Sequence, residues 1–289
     1  MASLKEVKTR IASVNSTRKI TSAMKMVASS KLHRAQQAIE GMRPYQHQLT
    51  SMMGRFLGSM QGEVNSPFAK QRPISKVAIV VISSNSSLCG GFNANVAKLL
   101  AKTIASYKQQ NVTDITVYPI GNKIAENARK TGYGCNNASE FAAMLDHPEY
   151  TSIASLAQSL MDHFVNEKFD RVDLIYHQYK STSTQILQRK TLLPVDLASV
   201  THDDKQLDYI IEPSATELLD TLLPLSISLQ LFTSVLDSLA SEHAARVMAM
   251  QVATDNADDL LRELTLTYNK TRQQAITNEL LDIAGGSAR

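Results

Sequence analysis

Cysteine is nearly absent from this chain. Its two copies, Cys89 and Cys135, stand far apart with no C-x-x-C spacing, which excludes a disulfide scaffold and offers no cysteine-based zinc site. A reducing compartment fits that usage. The seven histidines form no H-E-x-x-H motif and no short His/Cys group, so metal chemistry has no ligand set. No run of about 18 apolar residues occurs, and the opening MASLKEVKTR has no apolar stretch followed by a small-residue cleavage site. The expectation is that any membrane association is peripheral.

Glycine and proline are absent over long stretches. Neither occurs in residues 1–40 or from Leu225 to Ala284, whereas six of the eight prolines fall between Pro67 and Pro213. The absence of both helix breakers predicts two long helices, and at ~1.5 Å per residue the second spans about 90 Å, beyond ordinary globular helices. In the first, Leu4, Val7, Ile11 and Val14, then Ala28, Leu32, Ala35, Ile39, Met42, Leu49, Met53 and Phe56 keep one seven-residue phase, which predicts a coiled-coil seam. Arg18, Thr21, Lys25 and Gln46 interrupt it with polar layers that weaken an ordinary zipper. Pro44 predicts a kink or a local compensation, and Gly54, Gly58 and Gly62 predict the helix end. The second helix is expected to begin near EPSATELL, where Ser214 and Glu217 have capping-box spacing. Pro224 is expected to kink it. Leu229, Phe232, Leu236 and Leu239 hold a heptad phase that then drifts through Met250, Ala253, Ala257, Leu260 and Leu264.

Charge of one sign is missing at each end. Residues 1–60 hold ten Lys/Arg against Glu6 and Glu40, a net +8, and residues 206–289 hold five against twelve acidic residues, a net −7. Opposite blocks on two long helices favour antiparallel pairing, since both attach to the same intervening segment. That segment reads differently. VAIVVIS, ITVYPI, VDLIYHQY and TQILQRKTLLPV predict strands, and NANVAKLLAKTIASYK, NKIAENARK and SIASLAQSLMDHFVNEKF predict helices. Their alternation implies an α/β domain with a mainly parallel sheet. The expected architecture is a long antiparallel coiled coil of N- and C-terminal helices (1–60 and 208–286) with an inserted Rossmann-like α/β domain (74–205).

The loop SSNSSLCGGFN follows the first strand and opens a helix, as phosphate-binding turns do. It lacks GxxxxGK[ST] and GxGxxG, and no lysine follows until Lys98, so a structural turn using Gly90 and Gly91 is the better reading. No G-x-S-x-G elbow surrounds Ser86 or Ser87. Asp203–Asp204 and Asp258–Asp259 point in different directions on any helix and specify no catalytic pair. From the residues alone three readings stay open: a shaft enclosed by other subunits, a coiled-coil scaffold or adaptor, and a nucleotide-dependent enzyme.

Three separated stretches carry a resemblance: RIASVNSTRKITSAMKMVASSKL (residues 10–32), SLCGGFN (87–93), and SEHAARVMAMQVATDNADDLL (241–261) continued by YNKTRQQAITNEL (268–280). Together, and in this order, they resemble the γ subunit of bacterial F-type ATP synthases over essentially the whole chain. The resemblance implies a rotating central stalk that couples ion flow through a membrane c ring to sequential conformational change at the catalytic β subunits. The implied partners are three α and three β subunits around one γ, an ε subunit and the c ring, with no nucleic acid, no directly bound nucleotide, no cofactor and no metal. The chain itself is expected to perform no bond chemistry. Its implied location is the cytoplasmic face of the bacterial inner membrane, as a peripheral protein. By the same resemblance Met24, Lys25, Arg246, Arg272 and Gln273 contact β subunits, Arg246 alternatively gripping the N-terminal shaft, and Tyr209 and Glu212 approach ε or the c ring. The chain departs from the family at Asn85, Ser86 and Ser87, where Asp-Arg-Gly is usual, at Ser29 in place of a common alanine, and at Arg289 on a usually apolar tip.

Overall fold

The computed structural model describes residues 3–59, 66–196 and 215–286. In chain order the elements are α1 (Leu4–Ser59), β1 (Lys76–Ile82), α2 (Phe92–Gln109), β2 (Asp114–Ile120), α3 (Asn122–Lys130), α4 (Ala138–Asp146), α5 (Tyr150–Val165), β3 (Arg171–Tyr179), β4 (Gln185–Leu193) and α6 (Ala215–Gly286). They form two compact units, Met1–Ser29 with Arg246–Arg289, and Ser30–Ala245.

In the first unit α1 and α6 run antiparallel. Val7 and Ala28 are buried, and Leu4, Ile11 and Val14 are half-buried, as the heptad spacing predicts. Across from them, Met250, Ala257 and Leu264 are buried, and Thr254, Leu261 and Tyr268, each four residues further on, are half-buried. These positions keep one heptad phase, which meets the expected seam at Met250, Ala257 and Leu264 and departs from it by one residue where Thr254 and Leu261 take the places expected of Ala253 and Leu260. Counting apolar residues alone selected Leu260, which is 41% exposed, and passed over Thr254, a seam position that is polar.

The second unit is built on a four-stranded sheet of order β2-β1-β3-β4. β1 pairs in parallel with β2 and β3, and β4 returns antiparallel to β3. β1 is buried on both faces from Val77 to Ile82, which explains why it reads as a continuous apolar run instead of an alternating one. On one face Val77, Ile79 and Val81 pack under α2 and α3 through Val96, Leu100, Ile104, Ile124 and Ala128. On the other, Ala78, Val80 and Ile82 share a core with α4, α5, α1 (Leu32, Ile39) and α6 (Ile227 to Ala244). A smaller cluster joins Leu49 and Met53 of α1 to Leu219, Leu223 and Leu229 of α6. α6 contains a stretch apolar enough, by length and composition, to cross a membrane, but half of it is buried within the fold. α4 was not expected: Phe141, Ala142 and Leu145 give it a buried stripe, too short to stand out as a periodic pattern.

Neither proline ends its helix: α1 continues through Pro44 and α6 through Pro224. Each removes an amide that would have bonded the carbonyl four residues back. Those carbonyls belong to Glu40 and Asp220, both exposed, so water can take the bond. α6 begins at Ala215 with Glu217 in its first turn; Ser214 lies outside the described residues.

Candidate functional site

The polar residues that interrupt the α1 seam are matched in register by polar residues of α6. Arg18 Nη1 donates to Asp258 Oδ1 at 2.9 Å, the Thr21 and Thr254 hydroxyls lie 2.8 Å apart, and Lys25 Nζ donates to Gln251 Oε1 at 2.8 Å. Gln251 Nε2 in turn donates to Asp255 at 2.7 Å. Three successive layers therefore form a ladder between two apolar stretches of seam. A polar layer contributes less stability than leucine but is satisfied in only one register. Arg18 and Asp258 are 40% and 41% exposed, so their ion pair contributes little energy.

α6 continues past the point where α1 begins. The ladder's register sets Leu4 opposite the turn near Thr271, and every residue from 272 to 281 is exposed. Ile276, Leu280, Leu281 and Ile283 are 49%, 61%, 64% and 65% exposed, and further back Leu266 is 72%, Met26 66%, Val27 58% and Ile20 60%. Isolated exposed apolar residues are ordinary on a surface; this many along one helical unit mark a surface that another protein covers.

The loop after β1 is closed by its own side chains. Ser84 N donates to Asn93 Oδ1 at 3.1 Å, and Asn93 Nδ2 donates to the Ser84 hydroxyl at 2.8 Å. These groups occupy the crevice at the strand end where a phosphate would otherwise meet amides. Gly90 has φ 59 and Leu88, 57% exposed, has φ 67. Asn85 both accepts and donates, a double role that an aspartate could only half fill. Its Oδ1 accepts from Asn122 N at the start of α3 (3.1 Å), while Nδ2 donates to the Ala142 carbonyl and to Asp146 of α4 (2.9 and 3.0 Å). Gly121, unnoticed in the sequence, is required here: φ is +114 and a Cβ would lie 2.7 Å from the Ser83 carbonyl oxygen.

Two buried ionisable centres stabilise or tension the second unit. Asp173, fully buried, accepts from Arg171 (2.9 Å), Arg189 Nε (2.7 Å) and the Tyr107 hydroxyl (2.6 Å); burial, followed by the bond to Asp173, pushes Tyr107 up to about 12. Asp237 of α6 is less well served. Its Oδ1 has no hydrogen-bond partner, Arg43 stands 3.9 Å away, and burial raises its pKa to about 6 despite that arginine and the Tyr179 amide. His177, stacked on Phe92 at 4.3 Å, is driven down to about 4 by burial and is neutral. Among the described residues no group of three or more His, Cys, Asp or Glu could hold a metal.

The residues expected to meet partners are dispersed along the helices. Met24 and Lys25 are half-buried beside the ladder, Lys25 already bonded to Gln251. Arg246 is only 9% exposed. Arg272 and Gln273 are exposed on the overhanging part of α6, and Ser29 is exposed on α1. Tyr209, Glu212 and Arg289 lie outside the described residues. The ladder partners Gln251, Thr254 and Asp258 were not singled out from the sequence; the signal was the match between polar interruptions in the two seams.

A family model described as ATP synthase matches residues 3–288. A Bacteroides fragilis protein named ATP synthase gamma chain is 55% identical over 291 residues, covering 99% of each chain. The chain belongs to the ATP synthase gamma-chain family. A gamma chain from Flavobacterium johnsoniae is 42% identical over 287 residues, covering 99% of this chain and 98% of its own. Among solved structures, a chain of the Euglena gracilis mitochondrial ATP synthase (OSCP/F1/c-ring) superimposes with a TM-score of 0.67 at 20% identity, covering 99% of this chain and 93% of that one. A chain from the Tetrahymena thermophila central stalk and c ring gives 0.56 at 20% identity, covering 81% and 99%. At that identity the structural likeness speaks to the fold: paired terminal helices with an α/β domain between them, as in the gamma family.

Proposed function

We propose that the chain is the rotating central stalk of an F-type ATP synthase, coupling ion flow through a membrane c ring to sequential conformational change at catalytic β subunits during ATP synthesis or hydrolysis. The observation that carries this reading is the first unit: a helical pair, locked in register by a polar ladder, whose overhanging end exposes Ile276, Leu280, Leu281 and Ile283. Such a surface suits enclosure by a ring of three α and three β subunits. An asymmetric shaft presents different contacts to three equivalent sites, and those differences shift the conformational populations of each site in turn.

On this reading segments 1–60 and 208–286 are the shaft and 74–205 the foot, where ε and the c ring dock, Tyr209 and Glu212 among the contacts. Arg272 and Gln273, exposed on the overhang, form a reversible polar catch with β loops, since a guanidinium makes paired bonds to a carboxylate that are specific yet breakable. Met24 and Lys25 face a β loop, Lys25 keeping two ammonium donors beyond the one bonded to Gln251. The near-burial of Arg246 supports its alternative role, gripping the shaft. The complex sits peripherally on the cytoplasmic face of the bacterial inner membrane. Co-expression with α and β subunits, followed by mass measurement and an ATPase assay, tests the proposal. A complex of three α, three β and one copy of this chain, with altered ATP hydrolysis, is expected. No such complex, or hydrolysis indifferent to the chain, overturns it.

A further inference from the structure

The helices on the two faces of the sheet carry opposite charge. α2 and α3 hold Lys98, Lys102, Lys108, Lys123, Arg129 and Lys130, against Glu126 as their one acidic residue. From Ala138 to Glu167, through α4 and α5, come Glu140, Asp146, Glu149, Asp162 and Glu167 with no lysine or arginine. All but Lys123 of these charges are exposed. A surface charged only for solubility mixes the signs; this one sorts them by layer.

The basic layer is also the bare one. The core beneath α2 and α3 contains residues of the sheet, of those two helices and of the adjoining loops, and no residue of α1 or α6, both of which pack on the opposite face with α4 and α5. Lys98 and Lys102, one helical turn apart, have no ion-pair partner among the described residues. Lys108 extends over the Tyr133 ring at 5.5 Å and Lys130 pairs with Glu126 at 2.9 Å. The positive field is strong enough that Lys130, with Lys123 and Arg129, holds the exposed Glu126 below the usual carboxylate range.

We propose that the α2–α3 layer is a docking face for an acidic protein surface. Five of the six cations are lysines, compact hydrated charges that suit reversible pairing with carboxylates more than the planar stacking or bidentate clamping at which arginine excels. Neither helix exposes a large apolar side chain, which removes the insertion that a membrane-surface helix needs and the stacking platform that single-stranded nucleic acid needs. The partner is thus a protein with an acidic face, recruited by charge complementarity and released by salt. The inference adds a partner face to the stalk reading and does not depend on rotation.

The test uses the full chain, with polyglutamate as the probe for an acidic surface and vesicles of phosphatidylglycerol and phosphatidylcholine as the probe for a lipid one. The triple variant Lys98→Glu, Lys102→Glu, Arg129→Glu is compared with Lys5→Glu, Lys8→Glu, Arg10→Glu, which changes net charge equally. The first is expected to lose at least about tenfold in affinity for polyglutamate and the second less than about twofold. Unchanged circular dichroism and melting temperature establish that both are folded, and Lys98→Gln, Lys102→Gln is expected to fall between wild type and the triple variant. Equal losses in both triple variants overturn the proposal in favour of net charge alone. Vesicle binding without polyglutamate binding overturns it in favour of a lipid surface, and wild-type self-association abolished by the first variant overturns it in favour of a second copy. In co-expressed complexes the first variant is expected to retain α and β but to lose another subunit as salt is raised. Loss of α and β in the wild type as well counts against the stalk reading and leaves the polyglutamate result standing.

Discussion

The two units use the same pair of helices under different rules. Between residues 30 and 245, α1 and α6 are parts of a core: Leu32, Ile39, Ile227, Leu231 and Val235 are 8% exposed or less and pack with both sheet and helices. In the first unit the same two helices have only each other, and the middle of their seam is a ladder of Arg18, Thr21 and Lys25 on Asp258, Thr254 and Gln251. One region has its stability built in. The other is specified in register more than it is stabilised, as suits a surface that acquires its remaining contacts from partners.

The sharpest way to break that contrast is to remove equal bulk from each region. Leu160→Ala, at a fully buried position, is expected to cost about 3–5 kcal/mol in denaturant unfolding, because a cavity adds to the lost transfer energy. Leu264→Ala, at a seam position already 8% exposed with one partner helix, is expected to cost less than about 2 kcal/mol in the isolated chain. Comparable losses at the two sites would show that the first unit has a true core of its own.

Next in size is the proton dependence of the second unit. Asp237 has its pKa raised from 3.8 to about 6, burial outweighing Arg43, the Tyr179 amide and the more distant Lys190. A carboxyl whose folded pKa exceeds its unfolded one contributes stability that is complete below pH 3.8 and is lost as pH rises through about 6, an effect of roughly 3 kcal/mol. Asp237→Asn, neutral throughout, is expected to match the wild type near pH 4 and to melt higher at pH 8. A variant that is destabilised at pH 8 would show instead that the Arg43 pair outweighs desolvation.

Much of this contrast was legible in the sequence, and the exceptions share a cause. The α1 seam could be followed position by position because a heptad is a local pattern. The ladder could not, since what makes Arg18 a matched layer lies 240 residues away at Asp258. The same blindness put Ala253 in the α6 seam in place of its neighbour: Thr254 belongs there only once Thr21 is opposite it. In the α/β domain the four strands were readable from β-branched runs, whereas α4, nine residues with no side-chain cap, offered neither length nor a terminus signal. At Asn85 the loss of the family's charge was visible. Its replacement by contacts to both α3 and α4 needed the fold.

That substitution supplies a smaller test. Asn85→Asp introduces the residue that the resemblance led one to expect, keeps an acceptor for Asn122 N, and removes the donor to the Ala142 carbonyl while placing a carboxylate beside Asp146, 3.0 Å from the present Nδ2. A loss of about 1–2 kcal/mol is expected, read by thermal melting, and a smaller loss at low pH where the carboxylates are protonated. Unchanged stability at both pH values would mean that the α4 contacts of Asn85 contribute nothing.

The smallest energetic effect carries the most information about the ladder. Arg18→Ala is expected to cost about 0.5 kcal/mol or less, since the pair with Asp258 is exposed and screened. Replacing Arg18, Thr21 and Lys25 together by leucine is expected to leave stability within about 1 kcal/mol of wild type, the added apolar area offsetting the polar groups of α6 left unmatched. Register should change even where stability does not, because leucine packs acceptably in more than one alignment whereas the ladder bonds form in one. Cysteine pairs report this directly. With Val14→Cys and Leu261→Cys, positions that the ladder sets opposite each other, the wild-type ladder should give a single cross-linked species. The triple-leucine background should also cross-link when the second cysteine is moved one turn along α6. A triple-leucine chain that still cross-links only at the original pair would assign the register to the apolar layers on either side and leave the ladder without that role.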